Sequence, residues 1–401
     1  MKKSIILLII IICSLNLFCQ GIWTQKADYG GHARAGAIVF VINNIAYVGA
    51  GDAEGPINND YEFWAYDPSA DEWSEKANVP IYTFTIYGFS IDQYGYAIGS
   101  LNEFWRYDPV SDQWMQKNNF PGPVRHSGAI TFSLNGKGYY GLGENDKSIL
   151  KDIWEYDPVS DQWTQKNDFP TCKRAALALV INNQAYIGFG NTDTLLVTKD
   201  FWKYDQLPDM WIKKCDFPGS ARQFATGFSI NDKGYAGTGV DENFNYKNDF
   251  WEYDPVLDHW TQIPNLSGHT RQAAVGFSIN NKGYVTTGYY DQLATVYYLK
   301  DLWEYTSTTS VNENSSNYCN HIKCYPNPAT TWIAFDYQLF VNTEKAVIQI
   351  SDTKGQVIHI ILLHGLQGQS VWDIRSINPG VYYYTLKTGS SFKTGKLVIT
   401  K

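Results

Sequence analysis

Residues 250 to 262 read FWEYDPVLDHWTQ, and nearly the same line begins at Phe63 (FWAYDPSADEWSE), Phe104 (FWRYDPVSDQWMQ) and Ile153 (IWEYDPVSDQWTQ). The first tryptophan of this motif recurs at Trp64, Trp105, Trp154, Trp202, Trp251 and Trp303, at intervals of 41, 49, 48, 49 and 52 residues. This period constrains the fold more than any other feature, because units too small to bury their own apolar faces must stack on one another. Each unit holds four strand-like segments. In the sixth, RQAAVGFSIN from Arg271 and KGYVTTGY from Lys282 precede the segment around Trp303. Short alternating segments parted by Asn-Lys-Gly, Asp-Pro and Phe-Pro turns predict antiparallel hairpins.

The second tryptophan falls at Trp73, Trp114, Trp163, Trp211 and Trp260, is absent after Trp303, and turns up instead at Trp23, ahead of the first full repeat. The pattern predicts an all-β, six-bladed propeller whose last blade takes its outer strand from the Trp23 segment, which ties the toroid shut. Ala and Gly fill the innermost strands (ARAGAIVF, RHSGAITF, RAALALVI, RQFATGFS, RQAAVGFS), as six converging sheets require, and aromatics fill the wider gaps outside. In these small first strands, the glycine-ended second strands (YVGAGD, YIGFGN, YAGTGV) and the spaced Tyr and Trp, residues 20–307 resemble the kelch family of β-propellers. One departure stands out: kelch blades usually carry adjacent glycines, and here the pattern is Gly-x-Gly or ends in Ser. A WD-type propeller fits worse, since no Gly-His…Trp-Asp pairing recurs.

Composition agrees. Aromatics make up 16% of 401 residues, with 33 glycines and three methionines, which suits many short strands joined by tight turns. The length suggests two domains. The formal charge is −8, with no basic cluster to suggest nucleic acid or an anionic membrane as partner. Lys2 and Lys3, an apolar run from Ile5 to Ile12 and CSLNLFCQ predict a secretory signal peptide over residues 1–19, cleaved near Cys19–Gln20. The run is shorter than the roughly 20 apolar residues of a membrane span, and the mature chain is expected to hold no transmembrane segment. Beyond the leader remain Cys172, Cys215, Cys319 and Cys324. The spacing of Cys319 and Cys324 allows a small disulfide loop in an oxidising compartment, while Cys172 and Cys215 read as buried thiols.

Residues 308–322 are polar and low in complexity, a linker by composition. Residues 323–401 alternate as strands with Gly turns and predict a small β-sandwich. Pro326-Asn327-Pro328, the Asp-x-x-Gly ending at Gly355, the Asn-Pro-Gly-Val-Tyr holding Gly380 and Tyr382, and the Lys-Leu-Val-Ile from Lys396 follow in that order. These four landmarks resemble the type A C-terminal sorting domain of the type IX secretion system. The resemblance implies the type IX machinery as partner, and a protein secreted or held on the outer surface of a Gram-negative bacterium.

In an up-and-down propeller the blade-to-blade links and the second-to-third-strand links share one face. The latter are long and variable here (DAEGPINNDYE, ENDKSILKD, NTDTLLVTKD, VDENFNYKND, YYDQLATVYYLKD), except for SLNE in the second repeat. Variable loops on a rigid scaffold commonly carry binding. Arg34, Arg125, Arg174, Arg222 and Arg271 begin innermost strands on that face, the second repeat having Thr83 instead. They are candidates to grip a carboxylate or acidic peptide through forked hydrogen bonds. The alternative is that each pairs within the scaffold with the acid two residues before a repeat Trp: Glu62, Glu103, Asp152, Asp200, Asp249 or Asp301. His32, His126 and His269 flank the same arginines and join the candidate ligand-binding set; coming from blades 1, 3 and 6, they are not expected to converge on a metal. Asp67, Asp108, Asp157 and Asp254, each before Pro, read as turn residues. No HExxH, GxSxG, phosphate-cradling loop or paired-carboxylate motif occurs, so no catalytic residue and no cofactor is assigned.

The leading expectation is a secreted, non-catalytic module holding a glycan, peptide or envelope partner on the long-loop face. A carbohydrate-active enzyme is the alternative, since six-bladed kelch-type proteins include sialic acid mutarotases and larger galactose oxidases share the fold. A third reading is an architectural surface-layer or adhesion protein.

Overall fold

The computed structural model describes residues 21–55, 61–81, 86–194, 196–293, 295–307, 321–339, 346–353, 355–363, 365, 367–388 and 391–400. The expected signal peptide, Thr83, most of the 308–322 segment and Cys319 lie outside them. Two units divide the chain, Met1–Thr308 and Thr309–Lys401. Among the described residues there is no helix long and apolar enough to cross a membrane.

In the first unit, four-stranded antiparallel sheets follow one another along the chain. The first runs Ile38–Ile42, Ile45–Gly49, Phe63–Asp67, Glu72–Lys76, each strand paired with the next. Four further sheets, beginning at Ile86, Ser127, Leu177 and Thr226, repeat this order. The sixth starts alike with Val275–Ile279, Lys282–Thr286 and Leu302–Thr306, but its fourth strand is Ile22–Lys26. Trp23 stands opposite Tyr305 there, as Trp73 stands opposite Tyr66 in the first sheet.

The repeated aromatic motif stitches sheets together at their outer strands. Trp73 donates its indole N–H to the Ala27 carbonyl (3.0 Å), Trp114 to Ala77 (2.9 Å) and Trp23 to Pro264 (2.9 Å). The Asp two residues before the second Trp accepts hydrogen bonds from its own sheet's Tyr hydroxyl and from a backbone N–H of the preceding sheet. Asp71 thus accepts from Tyr66 (2.7 Å) and Ala27 (3.0 Å), and Asp258 from Tyr253 (2.7 Å) and Cys215 (3.0 Å). The Asp before Pro is a turn residue: Asp67 accepts the Ser69 N–H at 2.8 Å and Asp254 that of Val256 at 2.8 Å.

Innermost strands pack side by side in chain order, and Val275–Ile279 also packs against Ile38–Ile42. Small residues permit this approach. A Cβ on Gly276 would lie 2.4 Å from the Gly227 carbonyl of the neighbouring sheet. Between sheets, rings such as Phe63, Tyr107 and Trp114 interlock, with Phe63 and Tyr107 edge-to-face at 5.1 Å, a geometry that adds to simple area burial.

The second unit has a three-stranded sheet (His321–Tyr325, Trp332–Gln338, Gln367–Asp373) and a four-stranded one in the order Val357–Leu362, Val347–Ser351, Gly380–Thr388, Ser391–Ile399. Ile333, Phe335, Ile348, Ile350, Leu386 and Leu397 form its core.

Candidate functional site

The arginines expected at the face lie beneath it. Arg34, Arg125, Arg222 and Arg271 have at most 1% of their surface exposed. Arg271 chelates Asp301 through two bonds of 2.7 and 2.6 Å and donates to the Thr287 carbonyl at 3.0 Å. Arg222 does the same with Asp249 (2.7 and 2.8 Å) and Thr238 (3.1 Å). Arg34 holds Glu62 (2.6 Å) and the Ala50 carbonyl, and Arg125 holds Asp152 (2.6 Å) and the Leu142 carbonyl. Each carbonyl belongs to the middle residue of the Gly-x-Gly or Thr-Thr-Gly turn, which is left-handed at φ 53, 56, 58 and 63° for Ala50, Leu142, Thr238 and Thr287. Left-handed backbone is costly for a residue with a Cβ, and the buried cation pins it. The same acids accept the indole N–H of the repeat Trp, Asp249 from Trp251 at 2.9 Å and Asp301 from Trp303 at 2.6 Å.

In the fourth sheet the cation of this set is Lys173, not Arg174. Leu177 pairs with Gly188 as Ile38 pairs with Gly49, and four residues back from each stand Lys173 and Arg34. Lys173 is fully buried and holds Asp200 at 2.7 Å and the Phe189 carbonyl at 3.1 Å. Arg174, one residue on, keeps 28% of its side chain exposed and pairs with Glu144 at 2.5 Å. Burial alone would raise the pKa values of Asp200, Asp249 and Asp301; charge and hydrogen bonds from Lys173, Arg222 and Arg271 outweigh it and hold all three carboxylates below their ordinary value. In the second sheet Glu103 has a buried oxygen with no partner among the described residues. The histidines are not brought together: His32 pairs with Glu62 (2.7 Å), His126 with Asp146 (3.2 Å), and His269 stacks on Tyr290 at 5.2 Å.

Above this layer a run of backbone hydrogen bonds passes from sheet to sheet. Gly36 donates to Ala273 (2.9 Å), Ala273 to Phe224 (3.1 Å), Phe224 to Ala175 (3.0 Å) and Ala175 to Gly128 (2.8 Å). All five have φ between 51 and 68°. They border a cavity of about 360 Å³ at the end of the innermost strands, whose polar lining groups are Asp52, Tyr87, Ser127 and Tyr289. Tyr289 starts a hairpin (Tyr289–Gln292 with Thr295–Tyr298) built from the sixth long loop, and Tyr298 at its far end donates to Asp52 of the first repeat, just past the strand Ile45–Gly49. Tyr87 lines both this cavity and the one of about 460 Å³ between the innermost strands.

Sequence reasoning missed Tyr87, although the repeat held the signal. Tyr87 pairs with Ile98 opposite Phe104 as Ile38 pairs with Gly49 opposite Phe63, so this position holds Ile38, Tyr87, Ile130, Leu177, Thr226 and Val275 in the six sheets. Only the second sheet puts an aromatic side chain there, and it is also the repeat with the short SLNE link and with Thr83 in place of the strand-initial Arg.

The tail landmarks converge on each other. Asn327 reaches the last strand, donating to the Lys396 carbonyl (2.8 Å) and accepting the Val398 N–H (2.9 Å). Ala329 donates to Val398 at 2.9 Å and accepts from Thr400 at 2.8 Å. Gly355, at φ 82°, closes the turn by donating to Asp352 at 3.1 Å, and Tyr382 donates to the Asn378 carbonyl at 2.8 Å across the Asn-Pro-Gly turn. Cys324 packs against the tail core, and burial pushes its pKa up; its expected disulfide partner, Cys319, lies outside the described residues. Cys215 is exposed and Cys172 half-buried, neither a fully buried thiol.

Residues 323–400 match the secretion-system C-terminal sorting domain family. The match indicates export by type IX secretion, to the cell surface or the medium. No curated protein matches the chain. Among solved structures, that of YjhT, a kelch-like propeller, is similar with a TM-score of 0.61 at 16% identity, covering 71% of this chain and 98% of that one. At that identity the likeness speaks for the fold alone: all-β and propeller-like.

Proposed function

We propose that the first unit is a six-bladed, kelch-type propeller whose last blade is completed by the Trp23 strand, and that it serves as a binding module at the cell surface or in the medium. The sorting domain is its partner for the type IX machinery. The module holds a glycan or peptide at the mouth cavity on the long-loop face. The observation that carries this reading is the cavity's polar lining, drawn from positions that break the repeat, beside a hairpin grown from a long loop. Arg34, Arg125, Arg222 and Arg271 act in the scaffold, since their charges are already neutralised by half-buried acids.

Glycan and peptide arrays, followed by thermal-shift titration of the mature chain, test the proposal. Saturable, ligand-specific stabilisation is the expected result. Self-association with no ligand would favour an architectural protein, and accelerated anomer exchange of a sugar acid, followed by NMR, would favour the enzyme.

A further inference from the structure

A residue present in every repeat serves the repeat; one that departs from it at a cavity is free to serve a ligand. Tyr87 departs most. Its hydroxyl oxygen accepts the Ala129 N–H at 3.0 Å, and among the described residues its own proton goes to no acceptor. Burial raises the phenol's pKa above the ordinary value, so this proton is retained at any physiological pH.

Around the cavity the other polar groups match hydroxyl chemistry. Asp52 takes the Tyr298 hydroxyl on Oδ2, and Oδ1 has no partner among the described residues. The Tyr289 hydroxyl is bonded to Gln272, and Ser127 adds another hydroxyl. Among the described lining residues the one formal charge is the Asp52 carboxylate. A carboxylate or phosphate ligand would meet like charge there, with the cations beneath already paired. Ala129, Ala175, Ala273 and Phe224 offer apolar surface to the C–H faces of a ring. The volume, about 360 Å³, lies near the low end of the roughly 300–1,000 Å³ usual for small-ligand pockets.

We propose that the mouth cavity binds a neutral polyhydroxylated ligand of one or two sugar rings, with Tyr87 donating a hydrogen bond to it and Asp52 accepting one. This rests on the binding-module reading and narrows it to a ligand class and two residues. A sugar hydroxyl both donates and accepts, so it can satisfy Tyr87 and Asp52 together, which neither a carboxylate nor an apolar group can do.

The test uses the mature full chain, Tyr87→Phe and Asp52→Asn, in calorimetric titration. Probes are glucose, galactose, mannose, N-acetylglucosamine and their β-1,4-linked disaccharides, against glucuronic and galacturonic acids. At least one neutral sugar is expected to bind more tightly than the acids. Each substitution should weaken it by about tenfold, the effect of losing one such hydrogen bond. Tyr87→Phe also takes the acceptor from the Ala129 N–H and should lower the unliganded thermal midpoint modestly, whereas Asp52→Asn should leave it little changed, so binding is compared at a temperature where all three chains are folded. Phe keeps the Tyr87 ring in place, and Asn keeps the shape of Asp52, so loss of folding is not expected to obscure the reading. Tighter binding of the acids, or neutral-sugar binding indifferent to both substitutions, would overturn this assignment while leaving a binding module standing. No binding to any sugar overturns it too, and failure on the peptide array as well removes the module reading with it.

Discussion

Arg222 and Arg174 carry the same side chain at neighbouring places in successive repeats, and burial separates their roles. Arg222 is enclosed and Asp249 half-buried, so Arg222→Ala strands a half-buried carboxylate and should cost about 2–3 kcal/mol in urea unfolding. Arg174→Ala breaks a part-exposed pair and should cost about 1 kcal/mol or less; equal losses would show that burial does not distinguish them. The depressed carboxylates also fix the acid response. A group whose folded pKa lies below its unfolded value stabilises the fold above the unfolded value, 3.8 for Asp200, Asp249 and Asp301, and loses that contribution as pH falls through the folded value. Thermal midpoints should therefore decline below about pH 4, and the decline should be shallower in a variant lacking both Arg222 and Asp249. The acids two residues before five of the six repeat tryptophans, Glu103 being the exception, were legible as scaffold partners from their recurrence. That Lys173 replaces Arg174 was not, because the equivalence rests on strand register and neighbouring cations look alike in sequence.

At the scale of elements, the strand Ile22–Lys26 is short and half-exposed, and its stability comes from neighbours. Trp23 packs on Phe250 at 4.9 Å and Tyr305 at 5.0 Å besides its bond to Pro264. Trp23→Ala is expected to cost about 3–5 kcal/mol, and removing Gly21–Lys26 should leave Leu302–Thr306 as an open edge that associates; size-exclusion chromatography would detect this, and a monomer of unchanged stability would argue against the strand's part in the sixth sheet. In the tail, Asn327→Ala removes both side-chain bonds to the last strand. The Lys396–Thr400 amides should then exchange faster with deuterium while those of Trp332–Gln338 keep their protection. The Pro-Asn-Pro and Lys-Leu-Val-Ile landmarks were visible as an ordered pair, but their contact was not. Some 70 residues separate them, and only the antiparallel path of the intervening strands brings them together.

For the whole molecule, removal of Tyr325–Lys401 is expected to leave the chain folded in its first unit but retained in the periplasm, as fractionation would show; surface delivery of the shortened chain would sever the link between tail and export. By itself the amino-acid sequence determined the repeat, its strand-rich character, the displaced Trp23 and the sorting tail, because each is a matter of spacing and residue type along one chain. It also marked one face through loop length. Tertiary structure alone decided which groups on that face meet solvent. It buried four arginines and Lys173 under a layer of left-handed backbone and set Tyr87 at the cavity, since burial and charge pairing depend on what neighbouring sheets supply, and no single repeat contains its neighbour.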